Sequence, residues 1–241
     1  MVRRLHPEVA VPELSDDVST YPQVLEQHRY FQVLSVAAED FRRTDYYRAN
    51  ADRRLAETYA DDMEAFLHSL QMVARLAPID STTYERAAQL IQRSNQFNLT
   101  TRRRSASQVF ALISDTSWIT RTVCLADRFG DNGLVSVLLA RIIDDVLDID
   151  TWLMSCRVLK RGVEQFLLND LCALAQARGL RAIRGEYVPT PKNGLVRDHY
   201  RGLGFRQVDA ATTEGTTWIL NLTEKREPFT TFITEASAWK H

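Results

Sequence analysis

Cysteine, net charge and long apolar runs are the three things this chain has little of, and each scarcity excludes a class of protein. Its three cysteines, Cys124, Cys156 and Cys172, are scattered through 241 residues. That is too few for a disulfide framework and too dispersed for a zinc-binding set, so the expectation is a reduced, cytoplasmic protein with no metal. A formal net charge of −1 provides no overall field for nucleic acid or for a membrane surface. No apolar run approaches the length of a membrane span, and the opening MVRRLHPEVAVPEL has no apolar core of the kind a signal peptide needs. What remains is 45% hydrophobic and 25% charged, the composition of a soluble globular chain able to bury a full core in one domain or two.

The first 27 residues hold three of the seven prolines (Pro7, Pro12, Pro22) and the polar run SDDVST, and read as irregular chain. Over residues 39–76, Phe41, Tyr47, Leu55, Tyr59, Met63, Phe66, Leu67 and Leu70 recur at helical spacing, and Pro78 ends the pattern. Ser81 is placed to cap a second helix with Ala87, Leu90 and Ile91 on its apolar face, and Ser105 or Ser107 a third, through Ile113. Between them the polar run 94–101 breaks all periodicity. Residues 118–127 and 134–143 then read as two strands around Phe129-Gly-Asp-Asn-Gly133, a strong hairpin signal. Later come a strand (181–188), the loop YVPTPKNG, a short helix (195–203) closed by Gly204, and two last strands (205–208 and 216–222). The order β-hairpin, β, α, β, α, β, β after helical leading segments makes the class α/β.

The rest is organised around residues 148–168, DIDTWLMSCRVLKRGVEQFLL. Ile149, Thr151, Leu153 and Ser155 alternate with Asp150, Trp152, Met154 and Cys156, a period of two that predicts a strand. Arg157, Lys160, Arg161 and Gly162 follow. Val163, Phe166, Leu167, Leu171 and Leu174 then mark a helix to Arg178, which Gly179 stops. Strand, basic glycine-bearing turn and amphipathic helix together aim helix N–H groups at an anion. Cys156 falls beside that positive terminus, where cations favour the nucleophilic thiolate. The plainer reading makes it a small buried hydrophobe at a strand end, and Cys124 and Cys172 read as core.

Arg157-Val-Leu-Lys160-Arg161-Gly162 resembles the acyl-CoA loop of GNAT acetyltransferases, Arg/Gln-x-x-Gly-x-Gly/Ala at a helix start. It matches at Arg157 and Gly162 and carries Lys160 in place of the first glycine. In that superfamily the loop grips the pyrophosphate through backbone N–H groups. Asn193…Tyr200…Gly204-Phe205 resembles its Asn…Tyr-x-x-x-Gly-Phe stretch, which implies that Tyr200 protonates a leaving thiolate. SNQFNLTTRR, DRFGDNGLV, DTWLMSCRVL-x-RGVE and YVPTPKN together resemble the C-terminal, GNAT-like part of FkbH-like proteins. Those join it to a haloacid-dehalogenase-type (HAD) phosphatase segment and place a glyceryl unit on an acyl carrier protein for polyketide biosynthesis. The phosphatase's Asp-x-Asp-x-Thr motif is missing here, and VPEL resembles only the tail of that segment. The chain is expected to be a fragment or to work with a separate phosphatase.

The resemblance implies a GNAT-like mixed sheet with flanking helices over residues 81–241, after a mainly helical leading region over 1–80. It implies that Cys156 carries the glyceryl thioester before transfer to the carrier's phosphopantetheine thiol. No tightly bound cofactor is expected, with phosphopantetheine or coenzyme A as co-substrate. His199, beside Tyr200, is a candidate general base or a solvated helix position. Asn95, Gln96, Asn98, Thr100 and Thr101 either bond a polar acyl group or pantetheine amides, or cap two helices and close a loop. Arg157, Arg161, Gly162 and Asn193 complete the expected binding set. Arg102, Arg103 and Arg104 either meet an acidic carrier protein or form a solvated face. Asp127, Arg128, Asp131 and Asn132 are first of all a hairpin turn. Two other functions compete: an acetyl-CoA-dependent N-acetyltransferase with Cys156 silent, and a non-catalytic module that docks a carrier protein.

Overall fold

The computed structural model describes residues 11–27, 43–60, 62–208, 215–224 and 226–236. The chain divides into two compact units, Met1–Tyr47 and Arg48–His241. In the first, the Asp17 side chain accepts from Ser19 N and caps a turn of 3-10 helix, Val18–Thr20, that leads into helix α1 (Tyr21–Gln27). Pro22 sits in its first turn, where a missing N–H costs no helical bond. Pro7 and the expected helix start at Glu39 lie outside the described residues. Helix α2 (Arg43–Tyr59) crosses the division.

In the second unit Asp62 caps α3 (Met63–Ser69) by accepting from Ala65 N. The elements that follow are β1 (Met72–Ala77), α4 (Tyr84–Arg93), α5 (Ala106–Ala111), β2 (Trp118–Asp127), β3 (Gly130–Ile143) and β4 (Val146–Met154). After these come α6 (Val163–Ala177), β5 (Ala182–Tyr187), α7 (His199–Gly202), β6 (Arg206–Gln207), β7 (Thr216–Asn221) and β8 (Ile233–Glu235). Ser105 and Gln108 form the reciprocal capping box that starts α5. Among the described residues, eight strands share one sheet in the order β6-β7-β5-β4-β3-β2-β1-β8. Neighbours are antiparallel except β4 with β5 and β1 with β8. The β4–β5 pair is parallel because α6 carries the chain back to the strand's starting end. This is the α/β class that the pattern predicts, with the mixed sheet and flanking helices that the resemblance implies.

Both faces are covered. Val163, Leu167, Leu168, Leu171 and Ala175 of α6 pack with Val135, Leu138, Ala140 and Trp152 on one side. Ala87, Ala88, Leu90 and Ile91 of α4 pack with Leu134, Val137, Leu139 and Leu153 on the other. Several expectations differ from what is found. Thr83, not Ser81, precedes α4 and makes no side-chain cap, and residues 130–133, expected in a turn, belong to β3. Residues 72–77, read as the end of a helix in a leading region reaching residue 80, are a strand hydrogen-bonded to β2, so the sheet begins before residue 81. The period of two in β4 is also interrupted. Leu139 faces Thr151 and Ala140 faces Ile149, which leaves Asp150 as a bulge. The phase flips there, so Ile149 and Trp152 reach the same core.

Candidate functional site

The bulge also opens the sheet. Pairing of β4 with β5 ends at Ile149↔Gly185, and past Asp150 the two strands diverge with edges facing one another. The polar run 97–100 lies along that opening. Leu99 N donates to Trp152 O at 3.1 Å, Met154 N to Phe97 O at 3.1 Å, and Val188 N to Leu99 O at 2.9 Å. Asn98 bridges Leu153 in antiparallel sense. Asn193 Nδ2 donates to Asn98 O at 3.0 Å and Val188 O at 2.9 Å, while its Oδ1 accepts from Thr190 N at 2.7 Å. Thr100 Oγ1 donates to Asp150 O at 2.9 Å. Asn98, Thr100 and Asn193, expected among the ligand contacts, are buried and bonded to the chain's own backbone. The arginine triplet fastens the same loop. Arg102 and Arg104 both reach the Asp150 carboxylate, at 3.1 and 2.7 Å, and Arg103 bonds Ile91 O, Ser94 O and the Asn95 side chain.

Cys156 follows directly. It opens a turn of 3-10 helix, Cys156–Val158, with Ser155 Oγ accepting from Arg157 N. Its side chain is exposed, whereas burial pushes the Cys124 and Cys172 thiols above their ordinary range. Lys160 and Gly162 both take positive φ, 61° and 79°, and Gly162 begins α6 with no side-chain cap. A glycine is at ease there; a lysine adopts it at a cost. Cys156 lines two clefts. One, of about 680 Å³, is bordered by Asn95, Gln96, Phe97, Ser155, Pro191 and Lys192. The other, of about 300 Å³, is bordered by Arg53, Arg54, Glu57, Arg157, Lys160 and Arg161.

The second cleft is strongly cationic. Asp127, its side chain wholly buried, takes Arg53 in a bidentate pair (2.7 and 2.9 Å) and Arg161 at 3.2 Å, and it also accepts from Phe129 N. Burial, reinforced by Arg53, holds the Arg161 guanidinium below its ordinary value. One buried carboxylate thus organises two buried cations, and their surplus charge faces the cleft. The sequence offered Arg157, Arg161 and Gly162 here. It gave no sign of Arg53, 74 residues from Asp127, and Asp127 reads as a turn residue until its partners are in place.

His199 and Tyr200, expected as base and acid, are packed inward. Tyr200 is 1% exposed beneath Gly185, and its hydroxyl is buried. Burial raises its ionisation far above the ordinary range. The His199 ring sits edge-on to Trp152 and Phe97, at centroid distances of 4.5 and 5.1 Å, with Nε2 sealed and unbonded. Burial depresses its pKa to about 3. Neither residue borders either cleft beside Cys156. Among the described residues, no group of three or more His, Cys, Asp or Glu is placed to hold a metal ion, and no helix is long and apolar enough to cross a membrane.

No family model matches the chain, and no curated protein matches it. Solved structures do. The ribosomal-protein-S18-alanine N-acetyltransferase from Escherichia coli is 16% identical, over 66% of this chain and 99% of its own, with a TM-score of 0.47. The GNAT domain of S. lividans PAT is 17% identical over 61% and 90%, with a TM-score of 0.49. Spermidine N-acetyltransferase from Vibrio cholerae, in complex with CoA and spermine, is 11% identical over 62% and 96%, with a TM-score of 0.45. Likenesses this distant say nothing of this chain's substrate or residue roles.

Proposed function

We propose that this chain is an acyltransferase that holds its acyl group as a thioester on Cys156 and delivers it to the phosphopantetheine thiol of an acyl carrier protein. The observation that supports this most is the setting of one exposed thiol. Cys156 lies where a cationic cleft meets a cleft edged with amides and apolar groups. The cationic side suits an anionic donor or leaving group. The larger side suits a slender arm that carries amides and ends in a thiol. A glyceryl unit is the acyl group that the resemblance to FkbH-like proteins implies.

Two acyl transfers make up the reaction. In the first, the Cys156 thiolate attacks the carbonyl carbon of an activated acyl donor. A C–S bond forms, and the leaving group departs with the electron pair of its own bond. In the second, the carrier's thiolate attacks the new thioester carbonyl and Cys156 leaves as thiolate. Each tetrahedral intermediate places negative charge on oxygen. The uncapped N–H groups at the start of α6 and the backbone of residues 157–162 are the donors at hand. Thiol protons go to solvent in this scheme, because Cys156 is exposed while His199 Nε2 and the Tyr200 hydroxyl are buried.

The test is intact-protein mass after mixing the chain with a glyceryl thioester surrogate and then with a holo carrier protein, wild type against Cys156→Ser. The expected result is a glyceryl adduct that needs Cys156 and moves to the carrier. An unmodified wild type with an unloaded carrier removes Cys156 as nucleophile. Turnover of acetyl-CoA that survives Cys156→Ser would establish the competing N-acetyltransferase reading.

A further inference from the structure

We infer that residues 97–100 are a built-in strand standing where an amide-bearing ligand would lie between β4 and β5, so that no pantetheine arm, whether of coenzyme A or of a carrier protein, lies along that edge of β4. The inference is independent of the role proposed for Cys156. Two parallel strands that diverge leave N–H and C=O groups on facing edges, and an extended chain with amides of its own can add there as a strand. The pantetheine arm of coenzyme A, with two amides on a slender chain, has that chemistry. In this protein the groups it would meet are already engaged: Trp152 O and Met154 N on β4, and Val188 N just past β5, are all bonded to Phe97 or Leu99.

The strand fills the opening and does not merely cover it. Leu99 and Asn98 are 0% exposed, and Leu99 belongs to the same apolar core as Trp152 and Ile183. Each end is tied. Asp150, the bulge that opens the sheet, holds Thr100 through its carbonyl and Arg102 and Arg104 through its carboxylate. Asn193, itself fully buried, joins the middle of the strand to Val188. A pantetheine arm therefore does not fit along this edge of β4 while the strand is in place. Asn193 and Thr100 are the positioning residues that keep it there.

Hydrogen–deuterium exchange of the full chain, with and without millimolar acetyl-CoA and alongside calorimetric titration, tests this. Wild type is expected to show slow exchange at Leu99, Met154 and Val188, unchanged by acetyl-CoA even where the titration records binding. Micromolar binding accompanied by lost protection at Leu99 and Met154 would overturn the inference, because the strand would then be displaceable. In Asn193→Ala, and in the milder Thr100→Val, exchange at Leu99 is expected to quicken by about tenfold, with acetyl-CoA binding gaining in strength. Faster exchange without any gain in binding would also overturn it. Cys156→Ser leaves the exchange pattern as it is, so an adduct experiment that fails does not bear on this one.

Discussion

Mild acid should destabilise this protein through His199. The ring is held neutral by burial, its pKa near 3 against an ordinary 6.5. A depressed folded-state pKa means that the unfolded chain binds the proton first. The stability this group contributes is therefore whole above pH 6.5 and drains away as the pH falls from there toward 3. Within that window the loss is about 1.4 kcal/mol per pH unit, or about 2 kcal/mol between pH 7 and pH 5. His199→Phe keeps an aromatic ring against Trp152 and Phe97, removes the unbonded Nε2, and does not titrate. Urea unfolding followed by tryptophan fluorescence at both pH values, for both proteins, isolates the effect, because every other titrating group cancels in the comparison. Wild type is expected to lose about 2 kcal/mol more than the variant. Equal losses in the two proteins would show that the ring titrates normally, and would return His199 to the list of candidate bases.

Two substitutions probe the supports of the site. Asp127→Asn leaves Arg53 and Arg161 buried without their counter-charge, and is expected to cost about 3–5 kcal/mol in urea unfolding; a loss below about 1 kcal/mol would mean that water or Glu57 takes over the pairing. Gly185→Ala drives a methyl group into the Tyr200 ring and is expected to cost about 1–3 kcal/mol. Adding Tyr200→Leu should recover part of that loss, and strictly additive effects would contradict the contact.

The hairpin of β2 and β3, though its turn falls at Arg128-Phe129 and not at Asn132-Gly133, the helix α6 with its stop at Gly179, and the cap at Ser105 are legible in the sequence because each depends on residues close together in the chain. β1 is not. MVARLA continues a helical rhythm, and only its pairing with β2, five residues in register from Val73 to Ala77, makes it a strand. The polar run 94–101 is conspicuous by composition, but side-chain amides bond a ligand and a backbone equally well. Which of the two they meet is settled by the Asp150 bulge, some 50 residues onward. Asn95 and Gln96 do border the cleft beside Cys156, while Asn98, Thr100 and Asn193 serve the strand. In the sequence, Tyr200 takes its meaning from the residues beside it. Its true neighbour is Gly185, the one residue of β5 small enough to let a ring lie flat against the backbone.

The two margins of the sheet bear on solubility. β6 has two residues and β8 has three, so each outermost strand offers a visiting chain only a few backbone groups to pair with. The long, apolar strands β2, β3 and β4 all lie inside, each between two neighbouring strands. A sheet bordered in this way gives other copies of itself little to extend, which is how many natural proteins avoid joining edge to edge into aggregates.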